Sequence, residues 1–267
     1  MTYLAFLFAT GLYYGLGPGG PLHRDDWFDA LRGRVDAIEP DFWVGFALLV
    51  VVPSALIALI YGLVESLFGG AAMLIIGTAC LFFGFGRTDY DALAGRFLAR
   101  SRAGDNEGAA LVLEEAGADI EADDAVDFGR HAAKTFAYEG FQRWFPAAFY
   151  FFLLGPFWAV AYRLIQMSAG DTKVPVGSLR HLVDWLPSRL LLLSFAVVGD
   201  FKGVLGVVSD KALDSAIETD EMLLQGIEQS IELIDQTPAA QVERVGEITR
   251  RAWVLWIVIA SVVAILG

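Results

Sequence analysis

Three groups of residues have types and spacings that suit chemistry. Asp127, His131 and Glu139 recur at intervals of four and eight, with Thr135 in the same register. On a helix this spacing stacks side chains on one face. An imidazole among carboxylates can ligate a metal or move a proton. The chain has no HExxH or CxxC pattern and no second histidine nearby, so a solvated polar face accounts for the same spacing. The second group is the acid run Glu114, Glu115, Asp119, Glu121, Asp123, Asp124 and Asp127. Magnesium needs only one or two carboxylates plus substrate phosphates, which makes Asp119, Asp123 and Asp124 weak metal candidates. A solvated, capping-rich segment has the same composition. The third group is Asp184 and Arg189, on either side of Pro187, together with Tyr162 and Arg163 at the end of an apolar run. Ionisable groups beside a bilayer are functional-site candidates. An Asp–Arg pair can fix a proline break, and an Arg can also meet a ligand carboxylate. The ligand-binding candidates are therefore Asp184, Arg189, Arg163, Tyr162, His131 and Glu139.

The elements that carry these groups are apolar helices. The chain has 267 residues, 56% of them hydrophobic, against about 45–50% in a soluble domain. The excess lies in uncharged runs at 42–64, 66–86, 144–162 and 252–267. A helix needs about 20 apolar residues to cross the hydrocarbon core. The last run is short, and snorkelling of Arg251 makes up the difference. The stretch 1–22 is also uncharged, but Gly11, Gly15, Gly17, Pro18, Gly19 and Gly20 limit its helix to 1–16. It has neither the basic start nor the cleavage site of a secretory signal. The expected class is all-α: a polytopic helical membrane protein with a helical cytoplasmic loop domain.

Lys and Arg near the spans set orientation. Arg24, Arg32 and Arg34 precede the first long run, and Arg87, Arg96, Arg100, Arg102, Arg130, Lys134 and Arg143 follow the second. Both segments then lie on the cytoplasmic side, joined by a hairpin at 65–70. A span at 144–164 leaves the cytoplasm, yet Arg244, Arg250 and Arg251 before the last span are again cytoplasmic. The chain must return between them, and 190–208 is where it can. Its uncharged core ends at Gly199, before Asp200 and Lys202, so the return is read as embedded or re-entrant and broken near Gly199.

Within 87–143, periodicity predicts helices over Tyr90–Arg102 and 106–116, the second stopped by Gly117, and a third from Ala125 capped by Asp123 or Asp124. Phe128, Ala132 and Phe136 form its apolar stripe. Segment 209–250 is a cytoplasmic helical segment, with one helix predicted over 210–234 and a break at Thr237 and Pro238. A net charge of −13 disfavours nucleic acid and anionic surfaces. The single cysteine, Cys80, lies in an apolar run and excludes an intrachain disulfide or thiolate cluster. The 17–20 segment lacks the Lys and Ser/Thr of a phosphate loop. The sequence implies no cofactor and leaves the oligomeric state open.

The segments Leu154-Gly155-Pro156-Phe157-Trp158-Ala159-Val160-Ala161-Tyr162-Arg163-Leu164 and Val183-Asp184-Trp185-Leu186-Pro187-Ser188-Arg189, running on to Val198-Gly199-Asp200-Phe201, resemble the signature segments of the AmpE family. The order of loops and spans is similar over nearly the whole chain. The resemblance implies a multi-pass protein of the bacterial inner membrane, with 87–143 in the cytoplasm. It ties the chain to β-lactamase induction and to a cytoplasmic amidase of peptidoglycan recycling.

That family is similar in turn to the CobD/CbiB membrane enzymes of cobalamin biosynthesis, which form an amide using a nucleoside triphosphate and magnesium. Their Gly-Arg-Asp-Thr segment falls on Gly117-Ala118-Asp119-Ile120. Their Glu-Asn pair and nearby Asp fall on Ala137, Tyr138 and Phe141, and their Asn-Thr-Leu-Asp on Gln166-Met167-Ser168-Ala169. Their paired Asp fall on Arg180 and His181, while Pro187 and Arg189 persist and Asp184 replaces an Asn. Replacing a carboxylate by Phe or Ala removes a magnesium ligand. The resemblance thus implies a scaffold without the enzyme's acids. The first expectation is a non-catalytic signalling protein whose ligand, a muropeptide or related molecule, meets the third loop helix near Asp184 and Arg189. The alternatives are a magnesium- and nucleotide-dependent amide-forming enzyme using Asp119, Asp123, Asp124 and Arg189, and a membrane docking partner for a cytoplasmic amidase.

Overall fold

The computed structural model describes residues 1–17, 24–86, 89–118, 125–169, 175–211, 217–231, 233 and 236–266, with backbone only at 125–127, 210 and 211. Among these residues the chain is all helix, with no strand. In order the helices are α1 (Thr2–Leu16), α2 (Asp26–Ile38), α3 (Phe42–Phe46), α4 (Val52–Phe68), α5 (Ala71–Gly84), α6 (Tyr90–Arg102) and α7 (Asn106–Glu115). They continue with α8 (Ala125–Leu154), α9 (Pro156–Met167), α10 (Arg180–Val198), α11 (Phe201–Lys211), α12 (Thr219–Ser230) and α13 (Pro238–Leu266). A π-helical turn, Ala47–Val51, joins α3 to α4 into one rod just ahead of Pro53, where the missing N–H and the ring disturb the regular ladder. Among the described residues three helices are long and apolar enough to cross a membrane: Phe42–Phe68, Val176–Val198 and Pro238–Leu266. The chain is accordingly a membrane protein by helix length and composition.

The chain divides into two compact units, 1–87 with 143–184 and 88–142 with 185–267. In the first, small residues let short helices approach closely, the usual device where lipid removes the hydrophobic drive between helices. A Cβ at Gly77 would lie 3.3 Å from Ala5 of α1, and one at Gly84 would lie 3.2 Å from the Ala159 carbonyl of α9. Phe28, Leu49, Val50, Cys80, Val160, Leu164 and Val176 form the core. Helix α4 buries no side chain, and Leu56, Leu59, Ile60, Leu63 and Leu67 all point outward. Its other face, with Ile57 and Tyr61, is half-buried against the core and Phe157, so the exposed apolar face suits lipid.

In the second unit α6 and α7 begin where carboxylates can cap them. Asp89 accepts from the Ala92 N–H at 3.0 Å and Asp105 from the Gly108 N–H at 2.9 Å. The stripe Phe128, Ala132 and Phe136 is buried, with Phe97 of α6 against both rings. Helix α13 changes character along its 29 residues. Its first half buries Val242, Val245, Ile248 and Trp253, and its second half exposes Val254, Val258, Val262 and Val263.

Four expectations need correction. The apolar run at 144–164 is two helices, because Gly155 takes φ +98° and Pro156 opens α9. Pro187 does not break the chain but lies inside α10. The return helix expected over 190–208 begins ten residues earlier, at Arg180, while its expected break near Gly199 falls between Val198 and Phe201. The single helix expected over 210–234 is not formed: α11 ends at Lys211 and a separate α12 spans Thr219–Ser230. Hydrophobic periodicity runs straight across a bend at Ile217 and so conceals it.

Candidate functional site

A buried carboxylate lies in the first unit. Helix α9 carries Tyr162 and Gln166 four residues apart, on one face. The Gln166 Nε2 donates to the Tyr162 hydroxyl at 2.7 Å and to both Asp184 oxygens at 3.2 and 3.3 Å. Asp184 is 1% exposed, Tyr162 2% and Gln166 7%. Tyr150 of α8 stacks on the Tyr162 ring at 5.9 Å.

Tyr150 does more than stack. Pro187 has no N–H, so the carbonyl four residues earlier, at Val183, loses its helical donor. The Tyr150 hydroxyl donates to that carbonyl at 2.8 Å. An orphaned backbone acceptor in an apolar helix costs several kcal/mol (about 2–7) unless it is bonded. The phenol therefore makes the proline tolerable and holds α10 beside α9 at Asp184. Tyr150, Tyr162, Gln166 and Asp184 form one cluster drawn from three helices. A buried carboxylate where three helices meet ties their packing to its own charge.

Of the residues singled out in the sequence, Tyr162 and Asp184 come together, through Gln166. Arg163 follows Tyr162, half-buried and about 100° further round α9. Asp184 belongs to the first unit and Arg189 to the second. In the second unit Arg189, 6% exposed, turns back on its own helix. Its Nη1 donates to the Trp185 carbonyl and to the Ser188 hydroxyl, each at 3.2 Å, and its guanidinium lies 4.7 Å from the Trp185 ring centroid.

On α8, His131 and Glu139 are two turns apart, about 12 Å along the axis. The His131 carbonyl accepts from Thr135 Oγ1 at 2.9 Å, and buried Glu139 accepts from Gln142. Asp119, Asp123, Asp124 and the side chain of Asp127 lie outside the described residues. Among the described residues no three of His, Cys, Asp or Glu cluster as a metal site.

Sequence reasoning missed Tyr150, whose role requires knowing which carbonyl Pro187 frees and which helix lies opposite. It passed over Gln166, although a lone amide in an apolar run was a visible signal. It also missed buried Arg143. Arg143 donates from Nε to the Tyr13 hydroxyl at 2.5 Å, and its guanidinium lies 4.4 Å from the Trp144 ring and 4.9 Å from that of Tyr13. The Tyr13 hydroxyl in turn donates to the Gly86 carbonyl at 3.3 Å. This arginine ties α1, the end of α5 and α8 together.

Charge in the second unit is organised differently. Arg130 donates to Glu221 at 2.7 Å and to Glu228 at 3.1 Å, and Lys134 pairs with Asp220 at 3.2 Å. Burial alone would raise the Glu221 pKa, but hydrogen bonds from Arg130 and Gln225 overcome it and hold the carboxyl below its usual range.

Comparison with protein-family models, with curated proteins and with solved structures finds no match for this chain.

Proposed function

We propose that this protein is a non-catalytic regulatory protein of the bacterial inner membrane. It responds to a muropeptide or related ligand and contributes to β-lactamase induction, with 87–143 in the cytoplasm. Two things support this reading. The first is the similarity of its 154–164 and 183–201 segments to the AmpE signature. The second, which carries the reading, is the buried cluster at Asp184 inside one of those segments. A carboxylate in an apolar bundle is held at a cost of a few kcal/mol (about 1–3) unless it is well bonded. Any ligand or proton that changes its charge shifts the packing of α8, α9 and α10 together. Such a device suits sensing. Activation by a triphosphate would need magnesium-binding acids, and the two acids of the similar enzyme motif fall on Ala137 and Phe141 here.

The test is Asp184→Asn, which keeps the shape and removes the charge. In cells, β-lactamase induction by a β-lactam is expected to fall, and muropeptide retained by the purified protein is expected to drop in parallel. Unchanged induction together with unchanged retention in a folded Asp184→Asn protein would overturn the reading.

A further inference from the structure

Helix α6 and the first half of α13 leave an open groove of roughly 630 Å³ between them. That is within the size of small-ligand sites, about 300–1,000 Å³. Tyr90 and Asp91 line it from α6, and Glu243, Glu247 and Arg250 from α13. Gly95 opens its α6 wall: a Cβ there would meet nothing within 4 Å.

Most charges around the groove are already paired. Arg102 pairs with Glu243, and Arg244 and Arg251 both approach Glu247, at 3.8 and 3.7 Å. Two lining charges, Asp91 on one wall and Arg250 on the other, take no ion pair within 4 Å among the described residues. An uncommitted anion and an uncommitted cation across one groove suit a zwitterion.

Depth narrows the choice. Beyond Arg251 α13 is uncharged, and its Val254, Val258, Val262 and Val263 point outward. Arg250 therefore stands at the edge of the hydrocarbon, with Glu243 about 10 Å further out. The polar layer of a bilayer is about 5–8 Å thick on each side. The Arg250 end of the groove thus lies at the depth of lipid phosphates, and the acidic residues lie just outside it.

We propose that the α6–α13 groove holds the headgroup of a zwitterionic amino-phospholipid. Arg250 takes the phosphate and Asp91, supported by Glu247, takes the primary ammonium. An anionic headgroup with no ammonium would face Asp91, Glu243 and Glu247 unfavourably. A quaternary ammonium has no N–H to donate to them. Free phosphoethanolamine has the same chemistry, but the groove's depth assigns the ligand to the bilayer.

The test reconstitutes the full-length protein in vesicles of equal parts phosphatidylethanolamine, phosphatidylcholine and phosphatidylglycerol. It then extracts the protein in mild detergent and counts retained lipids by native mass spectrometry. Phosphatidylethanolamine is expected to be retained about tenfold over the other two, the value of one charge-assisted hydrogen bond. Arg250→Gln and Asp91→Asn should each abolish the preference. Gly95→Leu fills the groove and replaces a poor helix former with a good one. It should lose the lipid without lowering the thermal midpoint, so it decides the matter if a charge variant fails to fold. Equal retention of the three lipids, or full retention in Gly95→Leu, overturns the proposal. Displacement of the lipid by an equal concentration of phosphoethanolamine would overturn the bilayer assignment, and failure to displace it supports that assignment.

Discussion

Asp184 and Arg189 are five residues apart on α10, opposite in charge and almost equally buried, yet they are satisfied in different ways. Asp184 depends on another helix, through the amide of Gln166 on α9. Arg189 bonds the Trp185 carbonyl and the Ser188 hydroxyl of its own helix. The first arrangement writes tertiary structure into a single side chain. The second stiffens one helix near a proline. A ligand that alters the Asp184 charge reaches three helices.

The comparison is tested most severely at Gln166. Gln166→Leu removes the amide from a buried carboxylate and is expected to cost about 2–3 kcal/mol. Unfolding in detergent, followed by circular dichroism, measures it. Replacing both partners, in Gln166→Leu with Asp184→Leu, should recover most of the loss, since two apolar groups leave nothing unsatisfied. A loss below about 0.5 kcal/mol in the single variant would mean that the cluster does not join α9 to α10.

Tyr150 supplies a sharper test of the proline argument. Interhelical hydrogen bonds in membrane bundles contribute about 0.6 kcal/mol on average and up to about 1.7. Tyr150→Phe should sit near the upper figure because the Val183 carbonyl has no helical donor. Pro187→Ala returns that N–H, so Tyr150→Phe should cost little in its background. Equal costs in both backgrounds, read from the same unfolding midpoints, would separate the phenol from the proline.

Arg189→Ala is expected to cost less, about 1 kcal/mol, for the loss of its bonds to Trp185 and Ser188 and of its contact with the Trp185 ring. The same variant bears on function. If it leaves both induction and muropeptide retention unchanged while Asp184→Asn abolishes them, the sensing role belongs to the first unit's cluster alone.

Much of this molecule was legible in the sequence because lipid and capping impose simple rules. Uncharged run length located the Phe42–Phe68 rod, and the Asp89 and Asp105 caps fit the predicted starts of α6 and α7. Arg189 and Asp184 were visible as ionisable groups beside apolar sequence. The Gln166 partner of Asp184 was not, because hydrogen bonding between α8, α9 and α10 depends on which faces meet. Gly155 and Pro156 lay in plain view, but a run without charge reads as continuous until backbone conformation is considered. Gln166 counted as a lost family residue in the motif comparison, yet it is the donor on which the Asp184 cluster turns.

The smallest effect belongs to the paired charges of the second unit, and its sign can be worked out. The Glu221 carboxyl is held below its ordinary range by Arg130, Gln225 and Lys134 against the opposing effect of burial. A carboxylate with a depressed folded pKa contributes stability that is fully present above the unfolded value, about 4.3 for Glu. That contribution is lost as pH falls through the lower folded value. The Arg130 side chain is 43% exposed, so solvent screening limits the pair to a few tenths of a kcal/mol, at most about 1. Glu221→Gln should therefore lower the unfolding midpoint slightly at pH 7 and become indistinguishable from the parent chain in strong acid. Added salt should shrink the pH 7 difference further, since these charges are partly open to water. The Asp184 variants should keep their full effect in salt, because a side chain 1% exposed is out of reach of mobile ions. Equal salt sensitivity at Glu221 and Asp184 would mean that the Asp184 cluster is open to water, and the contrast between the two charges of α10 would lose its physical basis.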